Sequence, residues 1–290
     1  MNKKVSIIGG DLRIIKLIEM LLDDDFQVSV YGLEKAESIE KAEKIQKCST
    51  IEQAVGESDI VIGPIPLSSN NKNINMPFSD NEVTIQELVS LLANKTFIAG
   101  SIREEYDNLA EGKNINTIDL INREELAVLN TISTAEGAIQ LAMEETPKTI
   151  HGSKVLVLGF GRIGKILAKM LQGIGACVFC EARKESDLAW IQAYGYQKIA
   201  LNELDDNLNK FDIIINTIPH IIIDESNIKN IKKDCLLIDL ASNPGGIDKN
   251  AVKKEGLKFI WALSLPGKVA PITSAEFIKE TLYNILKEIS

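Results

Sequence analysis

Two segments of this chain open in the same way. "KVSIIGGDLR" (residues 4–13) and "KVLVLGFGRIGK" (residues 154–165) each run from an apolar stretch into glycine and then into an amphipathic stretch. A strand, a glycine turn and a helix in that order begin a βαβ unit, and such units build parallel sheets. Two openings half a chain apart predict two α/β halves, and 290 residues fit about two domains.

The pattern between the openings agrees. In the first half "VSIIG", "FQVSVYG", "DIVIGPIP", "TFIAG" and "NINTIDLI" read as strands, and "RIIKLIEMLL" and "TIQELVSLLA" carry apolar residues at helical spacing. "LSSNNKNINMPFSD" is a long Asn- and Ser-rich loop, a length that often carries function. "STAEGAIQLAMEE" predicts a helix from Ser133, with Glu136 at capping-box spacing and Pro147 as the stop. It bridges the halves. "KVLVLGF", "CVFCEA", "DIIINTIP", "LLIDLAS" and "LKFIWAL" then give a second strand series, and "SAEFIKETLYNILKEIS" gives a final amphipathic helix. The expected fold class is α/β, with two Rossmann-like, doubly wound parallel-sheet domains separated by a cleft.

Charge narrows the partners. The formal net charge is −9, and a chain so acidic lacks the basic face that nucleic acid or an anionic membrane requires. Arginine occurs five times, as Arg13, Arg103, Arg123, Arg162 and Arg183, so each is informative as a carboxylate or phosphate ligand. Cys177 and Cys180 have C-x-x-C spacing but lie on one strand, where residues three apart face opposite sides. No metal site is expected from two distant histidines and four scattered cysteines. "MNKKVSIIGG" has no signal-peptide core, and no window reaches the ~18 consecutive apolar residues of a membrane span. A cytoplasmic protein is expected.

The second opening carries the full dinucleotide fingerprint. Gly159 allows the tight turn, Gly161 lets backbone approach a pyrophosphate, and Gly164 lets helix and strand pack closely. Arg162 and Ile163 complete the cofactor-binding turn, whose helix start supplies N–H groups and positive potential. The first opening lacks the third glycine, so no cofactor is expected there. Cofactor choice depends on the end of the next strand, "CEARKES". Glu181 and Arg183 argue opposite ways. Counting places Ala182 at the usual acidic position, followed by Arg183 and Lys184. The reading is NADP, with NAD as the alternative.

Several longer segments resemble the dipicolinate synthase A-chain family. They are "IIGGDLR", "TISTAEGAIQLAMEETPKTIHGSKVLVLGFGRIGK", "NTIP", "LIDLASNPGG" and "LPGKVAPITS", spread over nearly the whole chain. A looser likeness runs to alanine dehydrogenase and D-2-hydroxyacid dehydrogenases. The resemblance implies an NAD(P)-dependent oxidoreductase of sporulating cells. It would oxidise a dihydrodipicolinate-type intermediate, on a branch of the lysine pathway, to dipicolinate. The partner implied is a smaller flavoprotein-like B subunit, and a homodimer is usual for this architecture. The resemblance also implies that the C-terminal helix returns to the first domain. That gives a substrate domain of residues 1–131 with 273–290 and a cofactor domain of residues 132–272. The chain departs from the family pattern at Asn243, where arginine is frequent, and at Ile163, where threonine is frequent.

Ligands bind at the carboxyl ends of strands in such sheets. Asn216, Thr217, Ile218 and Pro219 end one strand, and Asp239, Leu240 and Ala241 end the next; all are expected at the cofactor. A small dicarboxylate substrate needs donors at both ends. Candidates are Arg13 beside Asp11, Arg103, Thr131, Ser133, Thr134, Asn243 and free amides at Gly245 and Gly246. Thr131 to Gly137 would offer the carboxylate a helix N-terminus. His220 is the candidate proton acceptor and Lys268 the candidate catalytic cation. Rival readings are a dehydrogenase of small 2-oxo or amino acids, and a cofactor-binding protein without chemistry of its own.

Overall fold

The computed structural model describes residues 3–289. They divide into two compact units, Met1–Ala127 with Ala270–Ser290, and Val128–Val269. The first unit holds β1 (Lys4–Ile8), β2 (Gln27–Tyr31), β3 (Gln46–Lys47), β4 (Ile60–Ile62), β5 (Thr96–Ala99) and β6 (Asn116–Asp119). The second holds β7 (Lys154–Leu158), β8 (Cys177–Ala182), β9 (Gln197–Ala200), β10 (Ile213–Asn216), β11 (Leu236–Asp239) and β12 (Lys258–Trp261). The sheet orders are β3-β2-β1-β4-β5-β6 and β12-β11-β10-β7-β8-β9, with every pairing parallel. Counted from its own first strand, each sheet has the same doubly wound order. The chain reverses direction across the sheet beside β1 in one unit and beside β7 in the other.

Both sheets are apolar on two faces, as buried parallel strands require. Side chains alternate between the faces. Val155 and Val157 join Val178, Cys180, Ile213 and Ile215 in one core, while Leu156 and Leu158 join Ile214, Leu237 and Phe211 in the other. The first sheet divides likewise: Val5 and Ile7 face one core, Ile8 and Val61 the other. The same alternation separates the C-x-x-C pair. Cys177 is exposed, and burial pushes the Cys180 thiol up to about 12. Neither forms a disulfide.

The helix between the halves differs from the sequence expectation. It runs from Glu124 to Glu145, so Ser133 is an interior residue and not an N-cap. Leu126 and Ala135 are fully buried along it, and that packing carries the helix through the local capping signal. Among the described residues no helix is long and apolar enough to cross a membrane.

The final helix, Pro271–Glu288, packs on helix Leu12–Asp23 of the first unit. Ile278, Leu282 and Ile285 are buried there with Leu17, Ile18 and Leu21. Around this seam Lys279 and the Tyr283 hydroxyl both donate to Asp24. The lysine bond first, then the tyrosine, holds the Asp24 carboxyl below its usual range, while burial and Asp24 push the Tyr283 phenol up. Arg123 meets Glu288 through two parallel bonds of 2.6 and 2.7 Å. Exposed ion pairs of this kind are screened by water and contribute little, so the apolar seam holds the helix. Leu282→Ala is expected to lower the unfolding free energy by about 2–5 kcal/mol in urea titration. Lys279→Ala should cost under about 1 kcal/mol. Equal losses for the two would show that charge, not packing, anchors this helix.

Candidate dinucleotide site

The second glycine turn lies between β7 and helix Arg162–Ile174. Its three glycines answer three different constraints. Gly159 has φ +90°, and a Cβ there would come 2.6 Å from Ile218 Cγ1. At Gly164 a Cβ would come 2.1 Å from the Gly159 carbonyl oxygen, so only glycine lets the helix start against the turn. Gly161 caps the helix at φ −80°, a value open to any residue, and a Cβ there would meet nothing within 4 Å. Nothing in the protein's own packing demands glycine at 161. The space above it is open, which close approach of a ligand to the backbone would require.

That space belongs to a cavity of about 850 Å³. Gly159, Gly161, Arg162, Ala182, Arg183, Lys184, Ile218 and His220, all expected from the sequence, line it. The structure adds Phe160, Lys165, Asp187, Leu201, Ile221 and Ile222, and it places Glu181, weighed in the sequence for cofactor choice, in the same lining. Lys165 lies three residues after Arg162 and Asp187 three after Lys184, about one helical turn from each, which is the sequence signal that would have found them. The apolar Leu201, Ile221 and Ile222 carried no such signal. The volume is that of a small-molecule site, and Arg162, Lys165, Arg183 and Lys184 set four cations against Glu181 and Asp187. Gly164 and Ile163 lie outside this lining, in the helix start.

Glu181 and Arg183 occupy different surroundings. Ala182 faces the core of Val178 and Cys180, whereas Glu181 lies on the side of Phe179, buried in the cavity wall. Arg183 and Lys184 follow the strand and are exposed at the rim.

The ends of β10 and β11 are tied to each other and to their loops. Asn216 is fully buried and donates from Nδ2 to Asp239 Oδ1 at 2.7 Å and to the Ile218 carbonyl at 2.9 Å. Asp239 Oδ1 also accepts from the Ala241 amide at 3.0 Å. Asp239 Oδ2 accepts from the amides of Gly246 at 2.8 Å and Ile247 at 3.2 Å. The Leu240 amide donates to the Asn216 carbonyl, and Thr217 Oγ1 donates to the Leu158 carbonyl at 2.8 Å. Asn216, Thr217, Asp239, Leu240 and Ala241 therefore form a knot that fixes the loops, outside the cavity lining. Pro219 is exposed beside His220.

Two expectations for substrate donors are overturned. The Gly245 amide is spent on the Ser242 carbonyl at 2.7 Å and the Gly246 amide on Asp239, so neither is free. Gly246 is glycine for packing, since a Cβ would lie 2.3 Å from Asn216 Nδ2. Thr131, Ser133 and Thr134 lie within the long helix, with hydroxyls turned back to the carbonyls of Val128 and Asn130. They offer no helix N-terminus. Asn243 is exposed on its loop, and Lys268 is exposed in the short helix Leu265–Val269, away from the cavity lining.

In the first unit the corresponding turn is filled by the chain itself. Asp11 stands where Gly161 stands in the second unit, and Ile14 where Gly164 does. Asp11 caps helix Leu12–Asp23 by accepting from the Arg13 amide at 3.0 Å. The buried Arg13 guanidinium bonds both Asp11 oxygens and the Ile65 carbonyl. The long Asn-rich loop supplies the plug: the Gly10 amide donates to the Asn75 carbonyl at 3.0 Å, and Met76 packs over Gly9 and Gly32. Arg103 is exposed in the same unit and donates to Asn71 Oδ1. Among the described residues no group of three or more His, Cys, Asp or Glu could hold a metal.

Residues 4–121 match the family model of the dipicolinate synthase A-chain N-terminal domain. Residues 125–254 match that of the D-isomer specific 2-hydroxyacid dehydrogenase NAD-binding domain. The chain is 32% identical to the dipicolinate synthase A-chain of Bacillus subtilis over 288 residues, 99% of this chain and 96% of the relative. The chain belongs to the dipicolinate synthase A-chain family. The crystal structure of the dipicolinate synthase A-chain from Bacillus halodurans matches it with a TM-score of 0.90 at 29% identity, across 99% of this chain and 98% of that one. An L-alanine dehydrogenase matches with a TM-score of 0.66 at 14% identity, across 98% and 88%, a likeness of fold alone. Family membership covers both units, and the glycine turn lies in the one with the dehydrogenase NAD-binding domain.

The Asp239 knot makes a testable claim. Asp239→Asn leaves at most one acceptor oxygen for four donors. The variant should lose about 2–3 kcal/mol of stability and bind dinucleotide more weakly because the loop after β10 is released. Chemical denaturation and a dinucleotide titration read the two effects. Unchanged stability would remove the knot from the account.

Proposed function

We propose that this chain is the nucleotide-binding component of a dipicolinate synthase and that its cofactor is NADP. The observation that carries the reading is the open cradle over Gly161 at the start of a helix, inside a cavity rimmed by Arg183 and Lys184. Amides of the turn and the helix N-terminus would hold the pyrophosphate. The two rim cations suit a ribose 2′-phosphate, and Ala182 leaves no carboxylate at the position where NAD enzymes bond the 2′-hydroxyl.

When bound, the nicotinamide supplies two-electron oxidation of a dihydrodipicolinate-type dicarboxylate to the aromatic product. His220, exposed and in the cavity lining, is the proton acceptor in this reading. Aromatisation favours the oxidised product, so positioning carries more of the catalysis than base strength. The flavoprotein-like B subunit completes the enzyme, in the cytoplasm of a sporulating cell. Mixing the chain with the enzyme that condenses pyruvate and aspartate semialdehyde tests this. Dipicolinate absorbance and nicotinamide reduction should appear together when the B subunit is present. Cofactor binding with no dipicolinate under any combination would overturn the substrate assignment.

Cofactor choice is tested separately. Arg183→Ala should weaken NADP binding about 10- to 100-fold and leave NAD binding nearly unchanged, as expected for loss of one charge-assisted phosphate contact. An unaltered chain that binds NAD more tightly than NADP would reverse the assignment.

A further inference from the structure

The cavity wall contains a carboxyl for which the dinucleotide reading has no task. Glu181 is 1% exposed, at the end of β8. Its backbone is paired with Leu158 on one side and Ile199 on the other. Its Oε2 is buried without a hydrogen-bond partner, and the side chain lines the cavity beside Gly159 and Gly161. Burial pushes the carboxyl above the ordinary glutamate range, against the lowering by the Gly159 amide and the Arg183 charge.

The groups around it can be named. The glycine turn and its helix bring Arg162 and Lys165. The segment after β8 brings Arg183, Lys184 and Asp187, and the loop after β10 brings His220. From the β9 side come the apolar Ile199 and Leu201. A dinucleotide entering this space acts on the carboxyl twice. It displaces the remaining water, and its phosphates add negative charge beside the turn. Both disfavour a carboxylate.

We infer that Glu181 takes up a proton when a nicotinamide dinucleotide fills the cavity, so that this one side chain makes cofactor affinity depend on pH. The inference rests on the dinucleotide reading above. The sign follows from linkage. Binding is strongest where Glu181 is already protonated, and weakens as pH rises through the window between its free and bound values. The slope reaches about tenfold in Kd per pH unit. Because burial raises the free carboxyl, that window opens above the ordinary glutamate value.

The test is NADPH binding to the full chain, from about pH 6 to about pH 9, for the unaltered protein and for Glu181→Gln. Glutamine keeps the shape of the protonated acid and cannot ionise. The ratio of the unaltered Kd to the glutamine Kd should climb by up to about tenfold per pH unit within the window, since every other group is the same in both proteins. Calorimetry in two buffers of different ionisation heat should show proton uptake that the variant lacks. A ratio constant with pH overturns the inference and leaves the dinucleotide reading standing. Weaker binding by Glu181→Gln at every pH also overturns it, because the carboxylate would then be an acceptor for the ligand. No binding of NADPH or NADH at any pH overturns both readings. If Glu181→Gln does not fold, calorimetry on His220→Asn decides: proton uptake that persists without the histidine supports Glu181, and its disappearance contradicts it.

Discussion

The close approach of Gly164 to the Gly159 carbonyl sets the geometry on which the second unit's site depends. A Cβ at 164 would sit 2.1 Å from that oxygen, so the helix can begin against the end of β7 only because the side chain is hydrogen. The helix N-terminus, with its positive potential, is thereby aimed at the carboxyl edge of the sheet. The edge residues of β8 and the loop after β10 form the rest of the wall. The buried Asp239–Asn216 pair ties that loop to the one after β11, so the wall is held by hydrogen bonds that face inward.

The first unit shows what the same topology does without those glycines. Its sheet order is equivalent and its first strand also ends in a glycine turn. Asp11 puts a carboxylate where an anionic ligand would need open space, and Ile14 takes the place of the third glycine. Asn75 and Met76 then satisfy the turn from within the chain. A buried amide must find an acceptor, and here the long loop provides it. The Asn-rich segment that reads as a functional loop thus has a structural task, closing a turn that would otherwise resemble the one in the second unit.

Much of this was legible in the sequence because it follows from short-range patterns. The two glycine openings, the apolar strand runs and the amphipathic final helix fix the parallel sheets. The Gly159, Gly161, Gly164 spacing marks the cofactor turn. Other parts depend on contacts that a one-dimensional reading does not contain. Ser133 and Glu136 have the spacing of a helix start, yet burial of Leu126 and Ala135 extends the helix nine residues upstream, to Glu124. Strand ends identify which residues reach the ligand edge. They do not tell whether Asp239 and Gly246 turn to a ligand or to each other. Glu181 and Arg183 looked contradictory in sequence, and they separate once strand alternation buries one and the chain beyond the strand exposes the other.

The central claim is that one glycine turn of the two accepts the dinucleotide. The most direct measurement is a crystal structure of the chain grown with NADPH. The account predicts nucleotide density over Gly161, with the adenosine end beside Arg183 and Lys184, and the Gly10 amide still bonded to the Asn75 carbonyl. Nucleotide at Gly9 and Gly10 with Asn75 and Met76 displaced, or a cavity at Gly161 that stays empty at saturating NADPH, would contradict it.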